Sequence, residues 1–178
     1  MADKKLVLNN VEVSWAKLQE PATKWKSDEL EYSVAIKMND QLTALMADYK
    51  INKTVKNKES TFDGEGFIQV SLDKHTRGGW TRFGTIYDTF GNPTEDLLGN
   101  GTKINLFVSI GDSQYGNLLK LGHLSDMDQD TKEMTFDFGQ VTELVDYQAG
   151  SAVIKRVAET TAAVAEAPSD YMEIEIDG

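Results

Sequence analysis

Hydrophobic and polar residues alternate along much of the first 147 positions of the chain. The clearest case is residues 102–110, where four aliphatic residues alternate with polar or aromatic ones. A period of two indicates a strand with one buried face. Further strand-like runs, separated by turns rich in Gly, Pro and Asn, cover residues 6–15, 30–38, 66–76, 83–90, 114–124 and 133–147.

One segment has a helical period instead. Leu42, Leu45, Met46 and Tyr49 are spaced as one helix face, and Asn39 or Asp40 can cap its start. This spacing predicts a short helix over residues 41–50. Six or seven strands with one helix near the middle of the series predict an all-β domain, which we interpret as a five-stranded OB-type Greek-key barrel with extra hairpins.

Aromatic residues inside the alternating runs are predicted to pack in the core. They are Trp15, Tyr32, Phe107, Phe136 and Phe138. Residues 17–26, interrupted by Pro21, are predicted to form an exposed loop. The lysine-rich residues 50–58 fit two interpretations, a solvated polar loop or a mobile basic arm that follows a phosphate backbone.

The composition changes after residue 147. Residues 148–178 are rich in Ala, small polar residues and acids, and such a segment buries too little apolar surface to offset its ordering entropy. We therefore predict a folded domain over residues 1–147 and a disordered linker and acidic tail over residues 148–178. Six acids follow Arg156, which leaves −5 of the net charge of −11 for residues 1–157.

Several function classes are disfavoured by the sequence. The chain has no cysteine and two histidines, which argues against thiolate or histidine-rich metal sites, and we expect no metal and no cofactor. Asp126, Asp128 and Asp130 resemble the start of a calcium loop, but Thr131 replaces the required glycine, so an acidic hairpin tip is favoured. No catalytic motif is present, and no apolar run of membrane-spanning length occurs. We expect a cytoplasmic protein that is not an enzyme.

Cations and aromatic rings are interleaved in a way that suits single-stranded nucleic acid, because phosphates attract cations and unstacked bases pack on flat rings. The cations predicted to contact phosphates are Lys24, Lys26, Lys53, Lys56, Lys74, Arg77 and Arg82. The rings predicted to stack on bases are Trp25, Trp80, Phe83 and Tyr115. Ordinary partial burial is the alternative for each of these rings.

The C-terminal residues alternate acids with apolar side chains. One interpretation is a solubilising tail. The other is a peptide whose acids compete with DNA phosphates and whose apolar residues bind partner proteins. The residues concerned are Asp170, Tyr171, Met172, Glu173, Ile174, Glu175, Ile176 and Asp177.

Four segments resemble phage single-stranded DNA-binding proteins of the OB-fold type. Residues 10–21 (NVEVSWAKLQEP) resemble the first strand and its loop, and residues 31–37 (EYSVAIK) resemble the second strand. Residues 86–93 and 101–108 resemble the paired central strands, and the acidic end resembles the family's tail. The resemblance implies non-sequence-specific binding of single-stranded DNA, a homodimer, and tail contacts with replication or recombination proteins.

The leading hypothesis is therefore a single-stranded DNA-binding protein that acts in phage replication or recombination. The net charge of −11 favours an alternative, an acidic β-barrel that binds protein, such as a virion component or a DNA-mimicking inhibitor.

Overall fold

The computed structural model describes residues 4–114, 116–147, 153–157 and 172–174. The helix α1 spans Asp40–Asp48. The strands are β1 (Lys4–Thr23), β2 (Leu30–Lys37), β3 (Phe67–Asp73), β4 (Thr81–Tyr87), β5 (Pro93–Thr94), β6 (Lys103–Ser113), β7 (Gly116–Leu121), β8 (His123–Asp128), β9 (Glu133–Asp146), β10 (Val153–Val157) and β11 (Met172–Ile174).

The strands form one curled sheet with the order β3-β2-β1-β6-β9-β4-β5. Pairing is antiparallel except between β4 and β9, which run parallel. β3 runs in the same direction as β1, because both pair antiparallel with β2. β9 also runs in the direction of β1, because both pair antiparallel with β6, and β4 runs parallel to β9. Because β3 and β4 are also consecutive in the chain, the sheet curls back on itself into a half-barrel. This arrangement confirms the predicted OB-type fold.

The two extra hairpins are short extensions of this sheet. β7 pairs with the end of β6, and β8 pairs with the start of β9. The acidic hairpin tip is confirmed, since Asp128 ends β8 and its carboxylate accepts hydrogen bonds from the backbone N–H groups of Asp130 and Thr131.

The helix packs against the core through the apolar face that its spacing predicts. Leu42 and Leu45 are fully buried. The side chain of Asn39 accepts a hydrogen bond from the backbone N–H of Leu42 at 2.8 Å, so Asn39 is the N-cap. In the described parts of the chain, no helix has the length and apolar character needed to cross a membrane.

β1 departs from its predicted pattern at two bulges. Asn10 and Trp15 have φ values of 50° and 51°, and the register shifts beside each of them. Each bulge changes which residues face inward, so Leu6 and Leu8 are buried, then Val11 and Val13. The prediction that Trp15 packs in the core is wrong, because the second bulge leaves 47% of this residue exposed.

β1 also extends further than predicted. Residues 17–23, predicted as part of an exposed loop, continue the strand, and Ala22 and Thr23 pair with Glu31 and Leu30. Pro21 is compatible with this position because pairing with β2 is irregular between Lys17 and Ala22.

The other strand aromatics follow the core prediction to different degrees. Tyr32 and Phe138 are buried and meet edge to face with their centroids 5.1 Å apart. Phe136 packs against the core while partly exposed. Phe107 lies on the opposite face of β6 from the core residues, where it stacks on the ring of His123 at 4.9 Å.

Two short strands fall within the segment predicted to be disordered. β10 pairs with β9, and β11 pairs with the N-terminal part of β1. For these two stretches the structure therefore differs from the composition-based prediction. The rest of residues 148–178 lies outside the described part of the chain.

The close packing of β4 against Phe138 allows a stability test. A Cβ atom at Gly84 would overlap the buried ring of Phe138. We expect Gly84→Ala to lower the free energy of unfolding by about 1–3 kcal/mol, the usual cost of overpacking a core. Urea denaturation measures the change. At the control position Gly78, the nearest atom to an added Cβ is 3.5 Å away, and Gly78→Ala should change stability by less than about 0.5 kcal/mol.

Candidate nucleic-acid interface

A short loop of residues 74–80 joins β3 to β4 at one rim of the barrel. The backbone N–H of Thr76 donates to the carbonyl of Trp80 at 2.9 Å, and the N–H of Arg82 donates to the carbonyl of Lys74 at 2.7 Å. Gly79 adopts φ +84°, a conformation that favours glycine and permits the tight turn. The loop therefore holds its cations and its tryptophan close to the start of β4.

Lys74 occupies the centre of this region. Its ammonium group donates hydrogen bonds to the hydroxyl of Tyr32 at 3.0 Å and to the carbonyl of Arg82 at 3.2 Å. It also lies 4.2 Å from the ring centroid of Phe83 and 5.3 Å from that of Tyr32. Rings and neutral oxygens thus orient this cation while leaving its positive charge uncancelled.

Arg82 lies beside Lys74 and is partly buried. Its Nη1 donates to the carbonyl of Asp73 at 3.1 Å, and its guanidinium carbon lies 5.9 Å from the ring centroid of Phe136. Burial lowers its pKa, and the nearby Asp73 carboxylate opposes that shift. Since the ordinary pKa of an arginine lies far above neutral, the group stays cationic at neutral pH.

We call Lys74, Arg77, Trp80, Arg82 and Phe83 the cation–aromatic surface. Arg77 is exposed at the loop tip, Trp80 is half-buried at the loop base, and 41% of Phe83 is exposed. The structure thus brings together five residues that the sequence predicts for DNA binding. Their arrangement offers ring faces beside positive charge, which is what an unpaired strand requires.

A cleft of about 460 Å³ adjoins this surface and has mixed charge. The ammonium group of Lys24 contacts Asp73 at 2.9 Å and Glu29 at 3.5 Å within it. The hydrogen bond that Lys24 donates to the carboxylate of Asp73 is the main cause of the raised pKa of Lys24. Lys24 therefore carries a charge that two carboxylates already balance, and its main structural effect is to tie the β1–β2 turn to the end of β3.

The same turn carries the most exposed tryptophan of the described residues. Trp25 is 85% exposed, and the ammonium group of Lys26 lies 4.4 Å from its ring centroid. Because Lys24 links this turn to Asp73, the Trp25–Lys26 pair lies on the same rim as the cation–aromatic surface.

Two predicted phosphate contacts lie elsewhere. Lys56 pairs through its backbone with Phe67 at the start of β3, whereas Lys74 follows the end of that strand, roughly 20 Å away for a strand of this length. Lys53 is partly buried, and both burial and the charge of Lys56 lower its pKa. The pairing with Phe67 folds this segment back onto the sheet, unlike a mobile basic arm. Tyr115 lies outside the described residues.

Three exposed aromatic residues of the described chain were not predicted as site residues: Trp15, Phe90 and Tyr147, which follows β9. Trp15 is held at its bulge by hydrogen bonds from its backbone N–H to the Asn100 side chain and from its indole N–H to Thr61, both 2.8 Å long. Phe90 is 67% exposed in the turn after β4. The neighbouring Gly91 and Asn92 were a usable turn signal for Phe90, whereas nothing in the local sequence marks the bulge at Trp15.

Another cleft, of about 890 Å³, lies along β4. Gln19, Glu20, Gly84 and Glu95 are among its lining residues. Its two carboxylates make it a poor place for phosphates. Across the described residues, no group of three or more His, Asp or Glu side chains is placed to hold a metal ion.

The structure is similar to those of phage single-stranded DNA-binding proteins. The gp2.5 protein of bacteriophage T7 shares 13% identity over 84% of this chain and 91% of its own, with a TM-score of 0.46. The bacteriophage Enc34 protein shares 12% identity over 84% and 88% of the two chains, with a TM-score of 0.43.

The Enc34 protein in complex with single-stranded DNA matches over 77% of this chain and 84% of its own, with 13% identity and a TM-score of 0.37. No protein-family model matches the chain. No curated protein matches it either. Because these likenesses concern the fold, function has to be read from the surface itself.

Two titratable residues in contact at the C-terminal end of β4 lead to a prediction about how stability depends on pH. The hydroxyl of Tyr87 donates to the carboxylate of Asp137 at 2.7 Å, and this bond is the main cause that raises the pKa of Tyr87 from 10.0 to about 12. Because the folded pKa is the higher one, the stabilisation is complete below pH 10 and is lost as the pH rises towards 12.

We expect spectrophotometric titration to show a tyrosine that ionises near pH 12 in the wild-type protein and is absent from Tyr87→Phe. In Asp137→Asn the pKa of Tyr87 should move down towards 10. A Tyr87 pKa unchanged by Asp137→Asn would show that the carboxylate does not stabilise the protonated phenol.

Proposed function

We propose that this protein binds single-stranded DNA without sequence specificity and acts in phage DNA replication or recombination. The single observation that carries the proposal is the position of Lys74, whose ammonium group lies 4.2 Å from the centroid of the exposed ring of Phe83 and next to Arg82. A base stacked on Phe83 would place its flanking phosphates within reach of these two cations.

The surface has few groups that could read base identity, which supports binding without sequence preference. Arg82 and Lys74 use hydrogen-bond donors on carbonyl and hydroxyl oxygens of the protein itself. Ring faces are available to any base, because every base has a π face. The attraction of phosphates to Lys74, Arg77 and Arg82 adds to the binding free energy, and this contribution becomes smaller as the salt concentration rises.

The net charge of −11 does not prevent such binding. Exposed charges further apart than about 8–10 Å are largely screened at physiological ionic strength, so the local cations decide the encounter. The surplus of acids in the C-terminal segment is the natural competitor. We propose that this acidic tail regulates DNA binding and recruits replication or recombination proteins, and that the protein acts as a homodimer.

The first test concerns stacking. We expect Phe83→Ala and Trp80→Ala each to weaken oligo-dT binding by more than about 1 kcal/mol, because each removes a ring from the cation–aromatic surface. Phe90→Ala is the matched control, since it removes an exposed ring beyond the other end of β4. Fluorescence titration at low salt measures all three affinities, and urea denaturation confirms that the variants are folded.

If Phe83→Ala, Trp80→Ala and Phe90→Ala all bind oligo-dT with equal affinity, the cation–aromatic surface is not part of the binding site. If the wild-type protein does not bind oligo-dT even at low salt, the proposed function is wrong. The acidic protein-binding barrel would then be the better description.

The second test concerns the tail. Deleting residues 159–178 removes six acids and no base, so we expect tighter oligo-dT binding at low salt and a smaller gain at high salt. A full-length variant with the six acids changed to Asn or Gln is the control for charge. If this neutral tail does not reproduce the gain, the tail does not act as a competing polyanion.

A further inference from the structure

We propose that the N-terminal edge of β1 is a docking site for an extended peptide, and that its occupant is the chain's own C-terminal strand β11. The docking would control whether the tail is available to partner proteins. This proposal rests on the tail's role in recruiting partners given under the proposed function. The docking itself does not require DNA.

The site exists because β1 is longer than the strands beside it. β6 pairs with β1 along Lys4–Glu12 on one side, while β2 pairs with β1 on the other side only over Val13–Thr23. The second edge of the first half of β1 therefore needs another partner. Backbone groups on such an edge bind extended chains readily.

Two features fill this edge in the structure. The side-chain amide of Gln41, on α1, accepts from the backbone N–H of Asn9 and donates to its carbonyl, as a neighbouring strand would. Next to it, β11 pairs antiparallel with β1, with Lys5 opposite Ile174, Leu6 opposite Glu173 and Val7 opposite Met172. Gln41 therefore occupies the edge at Asn9, and the part of the edge before it, Lys5–Val7, has room for one short strand. We call Lys5–Val7 the slot.

The ladder between β11 and β1 covers three residue pairs. So short a ladder gives a weak, reversible contact that depends on the tether to the rest of the chain. A partner that competes for the tail can then release it.

The slot and the cation–aromatic surface lie at opposite ends of β1. Lys5–Val7 are near the start of the strand, whereas Thr23 ends it beside Lys24, which contacts Asp73 next to Lys74. A docked tail strand is consequently held away from the proposed DNA site. Docking and DNA binding should be compatible.

The absence of cysteine from the sequence makes a disulfide test straightforward. Directly opposed Cα atoms in an antiparallel pair are close enough for a disulfide, so we expect Lys5→Cys/Ile174→Cys in the full-length chain to oxidise within one molecule. The off-register pair Lys5→Cys/Met172→Cys should oxidise at least about tenfold more slowly, because its Cα atoms exceed disulfide reach. Non-reducing electrophoresis at low protein concentration follows both reactions.

Adding Met172→Pro to the in-register pair removes a backbone donor that faces β1, because the backbone of Asn9 faces this edge and that of Val7, opposite Met172, faces it too. Oxidation should then slow to the off-register rate. Adding Met172→Leu is the matched control, since it keeps the backbone N–H and should leave the rate nearly unchanged. Equal rates for the two cysteine pairs, or no effect of proline, would overturn the proposal. A disulfide formed only between two molecules would overturn the assignment of the strand to its own chain.

The disulfide-locked protein also tests the location of the slot. We expect it to bind oligo-dT at least as tightly as its reduced form, because the locked strand lies away from the cation–aromatic surface. Affinity at least tenfold weaker in the locked form would contradict that location. If neither form binds oligo-dT, the proposed function fails while the result of the cross-linking test remains valid.

Discussion

The backbone pairing of β1 with β2 and β6 is the interaction on which the rest of the barrel depends. One strand joins both halves of the sheet, because its first half pairs with β6 and its second half with β2. To do so it must bend, and the bulges at Asn10 and Trp15 provide the bend at left-handed φ values that cost a non-glycine residue some strain. Burial of Leu6, Leu8, Val11 and Val13 offsets that cost, since each fully buried aliphatic side chain contributes about 1.5–3 kcal/mol.

Closure of the half-barrel creates the candidate surface. β4 can run parallel to β9 at close range because Gly84 leaves room for the ring of Phe138. The loop of residues 74–80 is then fixed at the rim by backbone hydrogen bonds on both sides. The Lys24–Asp73 ion pair brings the β1–β2 turn to the same rim. Cations and rings from three separate stretches of the chain meet there as a consequence of the fold.

The electrostatic character of this rim depends on how each cation is held. Lys24 contacts two carboxylates, so its charge is balanced within the protein. Lys74 is held by a phenol, a carbonyl and two ring faces, which orient the ammonium group and leave its charge available to a phosphate. An acidic protein can in this way present a locally cationic surface. At the other end of β1, the edge next to the contact between Gln41 and Asn9 pairs with β11.

The sequence by itself determined the all-β fold, the capped helix after β2, the acidic hairpin tip and the cluster of cations and rings from Lys74 to Phe83. These features depend on residues close together in the chain, where side-chain periodicity and turn chemistry act directly. The tertiary structure alone decided that Trp15 is exposed, that Lys24 is paired with Asp73, and that Lys56 lies at the far end of β3 from Lys74. A bulge reverses the face of every residue after it, and an ion pair between strands depends on register. Both are set by long-range backbone pairing, which leaves no local pattern in the sequence.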